Sequence, residues 1–157
     1  MKILAFVLIA LSTASSASAQ HPIWLDEAIR VDDPAELAYW TAVEFYCPLA
    51  QEEVESVVED ILIRNRLKPL KGRIFEDDRV YLNVSLRCTE AVVDDNHAFS
   101  ININFGRYKP WPAILFDVPY ASVGFGGKDS IKDNIKVRLE DAVAAFRKAN
   151  MHFIGMR

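Results

Sequence analysis

The amino-acid sequence predicts an α+β domain in which two amphipathic helices pack on one face of a largely antiparallel sheet of about four strands. Three observations support this fold class. Two stretches alternate apolar and polar residues strictly, two longer stretches repeat apolar residues every three or four positions, and the predicted elements follow the order β-α-β-β-β-α. Each helical stripe needs an apolar surface to cover, and one face of a sheet supplies it.

The first nineteen residues predict an export signal that is not part of the fold. Lys2 is followed by an apolar run over 3–11 and by small residues up to Ala19, which is the order of regions in a cleavable signal peptide. The run is about half of the roughly 20 apolar residues that span a bilayer. The residue directly after the cleavage point is Gln20, whereas a lipoprotein would carry a cysteine there. We therefore expect a periplasmic or secreted protein with no membrane insertion after cleavage.

An irregular arm is expected over 20–36, followed by a single globular domain over 37–157. An aspartate, a proline and a glutamate within 33–36 predict a short helical turn at the end of the arm. Residues 39–47 are rich in aromatic and β-branched types, which favours a strand with Phe45 and Cys47 on its core-facing side.

The remaining elements follow from spacing. Apolar residues recur at helical spacing over 49–67, where the intervening acids are expected to lie in solvent and the proline that follows is expected to end the helix. Strict alternation over 80–88 and again over 99–105 predicts an antiparallel hairpin. A further short strand is predicted over 113–118. A glycine-rich turn at 124–127 then leads into a last helix over about 130–150.

Cys47 and Cys88 are the only cysteines, and in an exported chain they are expected to form a disulfide. Both fall at ends of predicted strands, on the side that the apolar pattern assigns to the core. A redox pair would show a closer Cys-x-x-Cys spacing, and a structural zinc site needs about four ligands. Two cysteines and three scattered histidines do not suggest such a site.

Composition and motifs give no indication of a cofactor or of catalysis. Lys2 is the only charged residue in the signal, so cleavage changes the formal net charge from −4 to −5; such a domain is poorly suited to nucleic acid. The glycine-rich segment departs from a phosphate-binding loop because Ser122 stands where the first glycine belongs and Asp129 follows the lysine. Asp94, Asp95 and His97 lack the spacing of a calcium loop, and no metal site is expected.

Two surfaces are candidates for ligand or partner binding. The outward face of the predicted hairpin displays hydrogen-bonding side chains, namely Tyr81, Asn83, Ser85, Arg87, Ser100, Asn102 and Asn104. The segment 105–112 mixes aromatic residues, cations and prolines and contains Arg107, Tyr108 and Trp111, residue types that anchor interfaces. The alternative for this segment is a loop that folds over the core.

We therefore expect a small, disulfide-stapled binding or interaction protein of the bacterial envelope, whose partner is a protein or another envelope component. An enzyme is the less favoured class. One alternative is a hydrolase of envelope polymers, in which acids such as Asp94, Asp95 and Asp117 would face each other about 5 to 10 Å apart across a cleft. Another is an inhibitor of an exported enzyme that acts through a protruding rigid loop. The oligomeric state does not follow from the sequence.

Overall fold

A computed structural model describes residues 23–76, 78–108, 114–116 and 120–154. It confirms the α+β class, with a mixed sheet and three α-helices. The elements in chain order are α1 (Ile23–Ala28), β1 (Glu36–Val43), α2 (Gln51–Arg64), β2 (Lys68–Lys71), a 3-10 turn (Arg73–Phe75), β3 (Val80–Cys88), β4 (His97–Arg107), β5 (Ile114–Leu115), β6 (Tyr120–Gly126) and α3 (Lys128–Ile154). The predicted signal, 1–19, lies outside the described residues.

The sheet is five strands wide and mixed, whereas the sequence predicted about four largely antiparallel strands. Its order is β2-β1-β3-β4, and β5 and β6 both pair with the remaining edge of β4. β1 runs parallel to β2 and to β3, and the other pairs are antiparallel. The connection from β1 to β2 runs through α2, as parallel neighbours require a long crossover.

β2 is one of the two strands that the sequence analysis missed. The predicted helix ends at Arg64, and Arg66 adopts a φ of 61° that turns the chain toward β1. Pro69 lies inside β2 and aligns with Leu37 of β1. A proline is tolerated there because β2 is an edge strand, where a missing N–H leaves no partner unsatisfied.

β6 is the other missed strand, and only Gly127 of the predicted turn lies outside it. Gly124 faces Phe99 of β4, and the Phe99 ring lies so close that a Cβ at position 124 would come within 2.6 Å of it. Aromatic rings that cover glycines in this way stabilise a strand without an alternating side-chain pattern. The sequence analysis missed β6 because its glycines have no side chain and so interrupt the alternation of apolar and polar residues by which strands are recognised.

The arm is more ordered than predicted. α1 buries Leu25, Ile29 follows it into the core, and the backbone N–H of Val31 donates to the amide oxygen of Asn150 on α3 at 3.0 Å. The helical turn predicted at 33–36 is wrong. The Asp33 carboxylate does accept the N–H of Ala35, as in a helix start, but Glu36 begins β1.

The core lies between one face of the sheet and α2 and α3, as predicted. All seven apolar positions of the predicted last helix are buried: Ile131, Ile135, Leu139, Ala142, Val143, Phe146 and Ala149. The alternation of β3 and β4 is also confirmed, with the predicted apolar set on the core side. Phe45 is the exception, because β1 ends at Val43 and Phe45 is 95 % exposed.

The Cys47–Cys88 disulfide is confirmed. The two Cα atoms lie 5.0 Å apart, and the bond joins the chain just after β1 to the last residue of its parallel neighbour β3. No helix within the described residues is long and apolar enough to cross a membrane.

Candidate binding face of the sheet

One face of the sheet carries no described α-helix, and we call it the open face. The helices all contact strands or one another on the opposite side, where the main core lies. The open face consists of outward side chains of β1, β3, β4 and β6: Trp40, Ala42, Asn83, Ser85, Arg87, Ala98, Ser100, Asn102, Asn104, Ala121, Val123 and Phe125. It includes the outward set that the sequence predicted from alternation alone, except Tyr81.

The strand registers arrange these side chains in rows across the sheet. The first row contains Trp40, Asn83 and Asn104. The second row contains Ala42, Ser85, Asn102 and Ala121, and the third contains Arg87, Ser100 and Val123. Neighbours in a row are one strand spacing apart, about 4.8 Å, and successive rows are about 7 Å apart. The second row holds only small side chains and asparagine, so it forms a shallow floor between the other two.

The asparagines of the open face have unused hydrogen-bonding capacity. Within the described part of the chain, the side chains of Asn83, Asn102 and Asn104 form no hydrogen bond, although all three are half-buried. Each amide offers an acceptor oxygen and two N–H donors. Three neighbouring amides are therefore available to a ligand that both donates and accepts hydrogen bonds.

Exposed apolar side chains flank these amides. Trp40, 45 % exposed, stands beside Asn83, while Val123, 81 % exposed, and Phe125, 57 % exposed, lie on β6 at the opposite side of the sheet. Arg87 is the charged residue of the open face, and its guanidinium pairs with Glu44 at 3.6 Å. The centre of the open face is thus polar and uncharged.

Tyr81 lies on the predicted side of the sheet but is covered. The connection from β2 to β3 crosses β1 on this side, and Ile74 packs there against Leu70 and Tyr81 in a small second core. The Tyr81 ring lies over Gly106, where an added Cβ would come within 2.4 Å of it. Burial raises the pKa of the Tyr81 hydroxyl. The crossing segment therefore bounds the open face at this end.

Arg107 does not join the asparagines, because it faces the helix side of the sheet. Its guanidinium donates to the backbone oxygens of Ala28 at 2.9 Å and Arg30 at 2.7 Å, and it pairs with Asp78 at 3.0 Å. These carbonyl groups lie at and just after the C-terminal end of α1, where Arg107 supplies their hydrogen-bond donors. The donors that would anchor a partner are thus bonded within the fold, and a binding role for Arg107 stays a prediction.

The rest of the second predicted surface is only partly described. Tyr108 packs its ring edge-on against Phe75 at 5.7 Å between centroids. Trp111 lies outside the described residues. The structure therefore keeps Asn83, Asn102 and Asn104 together and places Arg107 and Tyr108 elsewhere.

An aromatic loop next to the disulfide was missed by the sequence analysis. Phe45 projects almost entirely into solvent, its ring meets Tyr46 edge-on at 5.6 Å, and the N–H of Cys47 donates to Glu44 in the same turn. The loop borders a depression of about 410 Å³. The aromatic composition that predicted a longer strand was the only signal available, and it does not distinguish a strand from an exposed tip.

A polar network fixes α2 to the two strands beside it. The buried Glu55 carboxylate accepts hydrogen bonds from Thr41 and Gln51, both at 3.2 Å, and pairs with Lys71 at 2.6 Å. The Lys71 hydrogen bond holds the pKa of Glu55 below its usual value. The prediction that all the acids of this helix lie in solvent is wrong for Glu55, whose buried charge is compensated by these partners.

A second hydroxyl joins α2 to β1. Tyr39 is fully buried, and its hydroxyl donates to the Glu59 carboxylate. Burial, with the Glu59 hydrogen bond second, raises the pKa of Tyr39. The Glu55 network and the Tyr39–Glu59 hydrogen bond thus hold α2 against β1 and β2.

Acidic residues gather in one cleft of about 320 Å³, between α1 and the start of β3. Two of its carboxylates pair with cations: Glu36 pairs with Lys68 at 2.7 Å, and Asp78 pairs with Arg107. Asp32 and Asp33 line the cleft without an ion pair to any described residue. Arg79 also lines the cleft and approaches Glu36 at 3.8 Å. These ion pairs occupy Glu36 and Asp78 within the fold.

Among the described residues, Asp94 and Asp95 do not form a site with His97. Asp94 and Asp95 adopt positive φ angles of 48° and 57° in a tight turn, and the His97 ring is bonded to the backbone oxygen of Thr89 at 2.9 Å. Asp117 lies outside the described residues. Among the residues that the structure covers, no group of three or more His, Cys, Asp or Glu side chains could hold a metal ion.

Comparisons with known proteins do not assign a family. No family model and no curated protein matches the chain. A minor lipoprotein from Acinetobacter baumannii is similar at 9 % identity and a TM-score of 0.35, over 74 % of this chain and 92 % of that one. A protein described as uncharacterized matches at 12 % identity and a TM-score of 0.36, over 74 % and 90 %. A Xanthomonas campestris protein of the DUF330 family matches at 14 % and 0.29, over 76 % and 83 %. Similarity this low carries no argument about function.

Proposed function

We propose that this protein is a non-catalytic binding domain that works outside the cytoplasm and binds a neutral, hydroxyl-rich polymer of the cell envelope, a glycan, through its open face. The observation that carries the proposal is the group of three asparagines without internal hydrogen bonds, next to the exposed indole of Trp40. The disulfide supports an oxidising location.

The hydrogen-bonding groups of the open face match sugar hydroxyls. A hydroxyl both donates and accepts a hydrogen bond, and so does the amide of Asn83, Asn102 or Asn104. The absence of an unpaired charge at the centre of the open face favours hydroxyls over phosphates or carboxylates, which recruit arginine or lysine.

The shape of the open face suits a chain molecule that crosses the strands. The floor of small residues runs from Ala42 to Ala121, which are separated by three strand spacings, about 14 Å. Trp40 rises on one side of this floor, where the apolar face of a sugar ring can stack on the indole. A segment of two or three sugar rings would be held by stacking at one end and by amides along its length.

Sedimentation with insoluble glycans tests the proposal. The chain without 1–19 should pellet with purified peptidoglycan sacculi or with chitin. Trp40→Ala should weaken binding because it removes the stacking indole. The double variant Asn83→Ala, Asn104→Ala should weaken it by about 5- to 150-fold, since two lost hydrogen bonds are worth about 1 to 3 kcal/mol. Ile63→Ala, an exposed position on α2 on the other side of the sheet, is the matched control and should bind like the unaltered chain.

Two outcomes contradict the proposal. One is a chain that pellets with neither glycan. The other is binding that survives both open-face variants while thermal unfolding shows that they are folded.

The exposed tip at Phe45 supports a second candidate function, inhibition of an exported enzyme. Phe45 protrudes from a short turn whose base is fixed by the Cys47–Cys88 bond. A rigid aromatic side chain of this kind enters a partner's pocket at low entropic cost. If the chain inhibits an exported hydrolase, Phe45→Ala should abolish the inhibition, whereas Trp40→Ala should leave it unchanged.

A further inference from the structure

The two edges of the sheet differ in their protection against pairing. β2 is four residues long and carries Lys68, Pro69 and Lys71, which are the means by which natural edge strands avoid further pairing. The opposite edge ends in β6, which has seven residues and contains neither a charge nor a proline. Within the described residues, β6 pairs only with β4.

The unprotected edge also exposes apolar side chains. Val123 and Phe125 project from β6 on the open-face side. A long, uncharged edge strand with exposed apolar side chains is a site where another strand adds to the sheet. β6 therefore has the features of an interface strand.

From these features we infer that β6 pairs with β6 of a second copy of this chain, antiparallel and centred on Val123. In this register Phe125 lies opposite Ala121 of the second copy, and Tyr120 lies opposite Gly126. Each pair sets a large side chain against a small one, on both faces of the sheet. The strand is thus complementary to itself, which is what a two-fold interface requires.

α3 lies next to β6 along the same edge of the sheet. The Ser122 hydroxyl donates to Asn134 of α3 at 3.2 Å, so this side of α3 borders β6. This side of α3 therefore lies along the proposed interface.

The dimer joins two five-stranded sheets into one. The two-fold axis of an antiparallel strand pair is perpendicular to the sheet, so both open faces point to the same side. A polymeric ligand would meet two binding surfaces in one plane and gain avidity. The dimer itself does not depend on the identity of the ligand.

Sedimentation velocity of the chain without 1–19, at protomer concentrations from about 1 to 200 μM, tests the inference. The unaltered chain should sediment as a dimer at the upper concentrations. Val123→Lys places two like charges opposite each other at the two-fold axis and should weaken association at least tenfold. Ile63→Lys adds the same charge at an exposed position on α2 and should remain dimeric.

Cross-linking tests the register. Residues directly opposite in an antiparallel pair have Cβ atoms about 4.5 to 5.5 Å apart, so Val123→Cys should form a disulfide-linked dimer on mild oxidation. Phe45→Cys, which is more exposed, is the control and should not cross-link at the same rate. A monomer throughout the concentration range overturns the inference. So does equal cross-linking of both cysteine variants, or a Val123→Lys chain that is folded by circular dichroism and still dimeric.

Discussion

Replacing Arg107 with alanine should destabilise the fold, because the guanidinium is used inside the molecule. The side chain is 17 % exposed and donates to the backbone oxygens of Ala28 and Arg30. Hydrogen bonds from a charged group contribute about 1.5 to 3 kcal/mol each, and the partly exposed acceptors place these two at the lower end. The pair with Asp78 adds little, because that carboxylate is mostly exposed. The expected loss is about 3 kcal/mol.

Urea unfolding at equilibrium measures this loss. Arg107→Lys retains a charge but cannot reach both carbonyls, so it should recover about half of the difference. Arg87→Ala is the matched control, since Arg87 is exposed and its pair with Glu44 is 3.6 Å long; it should change the free energy of unfolding by less than about 0.5 kcal/mol. If Arg107→Ala lowers that free energy by less than about 1 kcal/mol with an unchanged denaturant slope, the internal role assigned to Arg107 is wrong.

Three further predictions concern stability. Replacing Cys47 and Cys88 with alanine removes the closure of a 41-residue loop, which should cost about 4 kcal/mol and lower the melting temperature by roughly 14 °C in a calorimetric scan. Because the pKa of Glu55 is lowered in the folded chain, its carboxylate contributes fully to the free energy of unfolding above the ordinary pKa of 4.5. This contribution is lost as the pH falls through the folded pKa. Glu55→Gln should therefore make the urea midpoint depend less on pH in the acid range. Gly124→Ala should destabilise by about 1 to 3 kcal/mol, and combining it with Phe99→Leu should cost less than the two single changes added together.

The sequence predicted the elements whose side chains repeat along one face. For α3, β3 and β4 the predicted core-facing residues were all correct, because the spacing of apolar residues along the sequence also determines which side chains face the core. The same argument correctly assigned Cys88 to the core side. Cys47 lies beyond the end of β1, so the predicted strand is wrong there although the predicted disulfide is confirmed.

The missed elements carry no repeat that could be recognised. α1 has six residues, too few for a helical period, and β2 has four residues with a proline among them. In β6 the glycines at 124 and 126 erase the alternation, and the pairing is supported by an aromatic ring of β4 that no local pattern announces. Elements of this kind are defined by their neighbours in space, so single-sequence reasoning does not reach them.

The candidate site was predicted in part, because alternation along a strand gives the face on which a residue lies but not its distant partners. Strand alternation correctly placed Asn83, Asn102 and Asn104 on one face. The partners of Arg107 are backbone carbonyls 77 and 79 positions away, which no spacing rule connects to it. Tyr81 was placed on the correct face, but the segment that covers it follows a strand that was not predicted.

The disulfide also determines how the chain would respond to mechanical tension. The bond joins the end of the β1 segment to the end of β3, so a force applied to the two ends of the chain passes from one sulfur to the other. The 40 residues between the two cysteines, 48–87, contain α2, β2 and most of β3 and are excluded from the stretched path. Fully extended they would add about 140 Å of contour length. As long as the disulfide is intact, tension cannot extend these residues; reduction of the bond makes their contour length available.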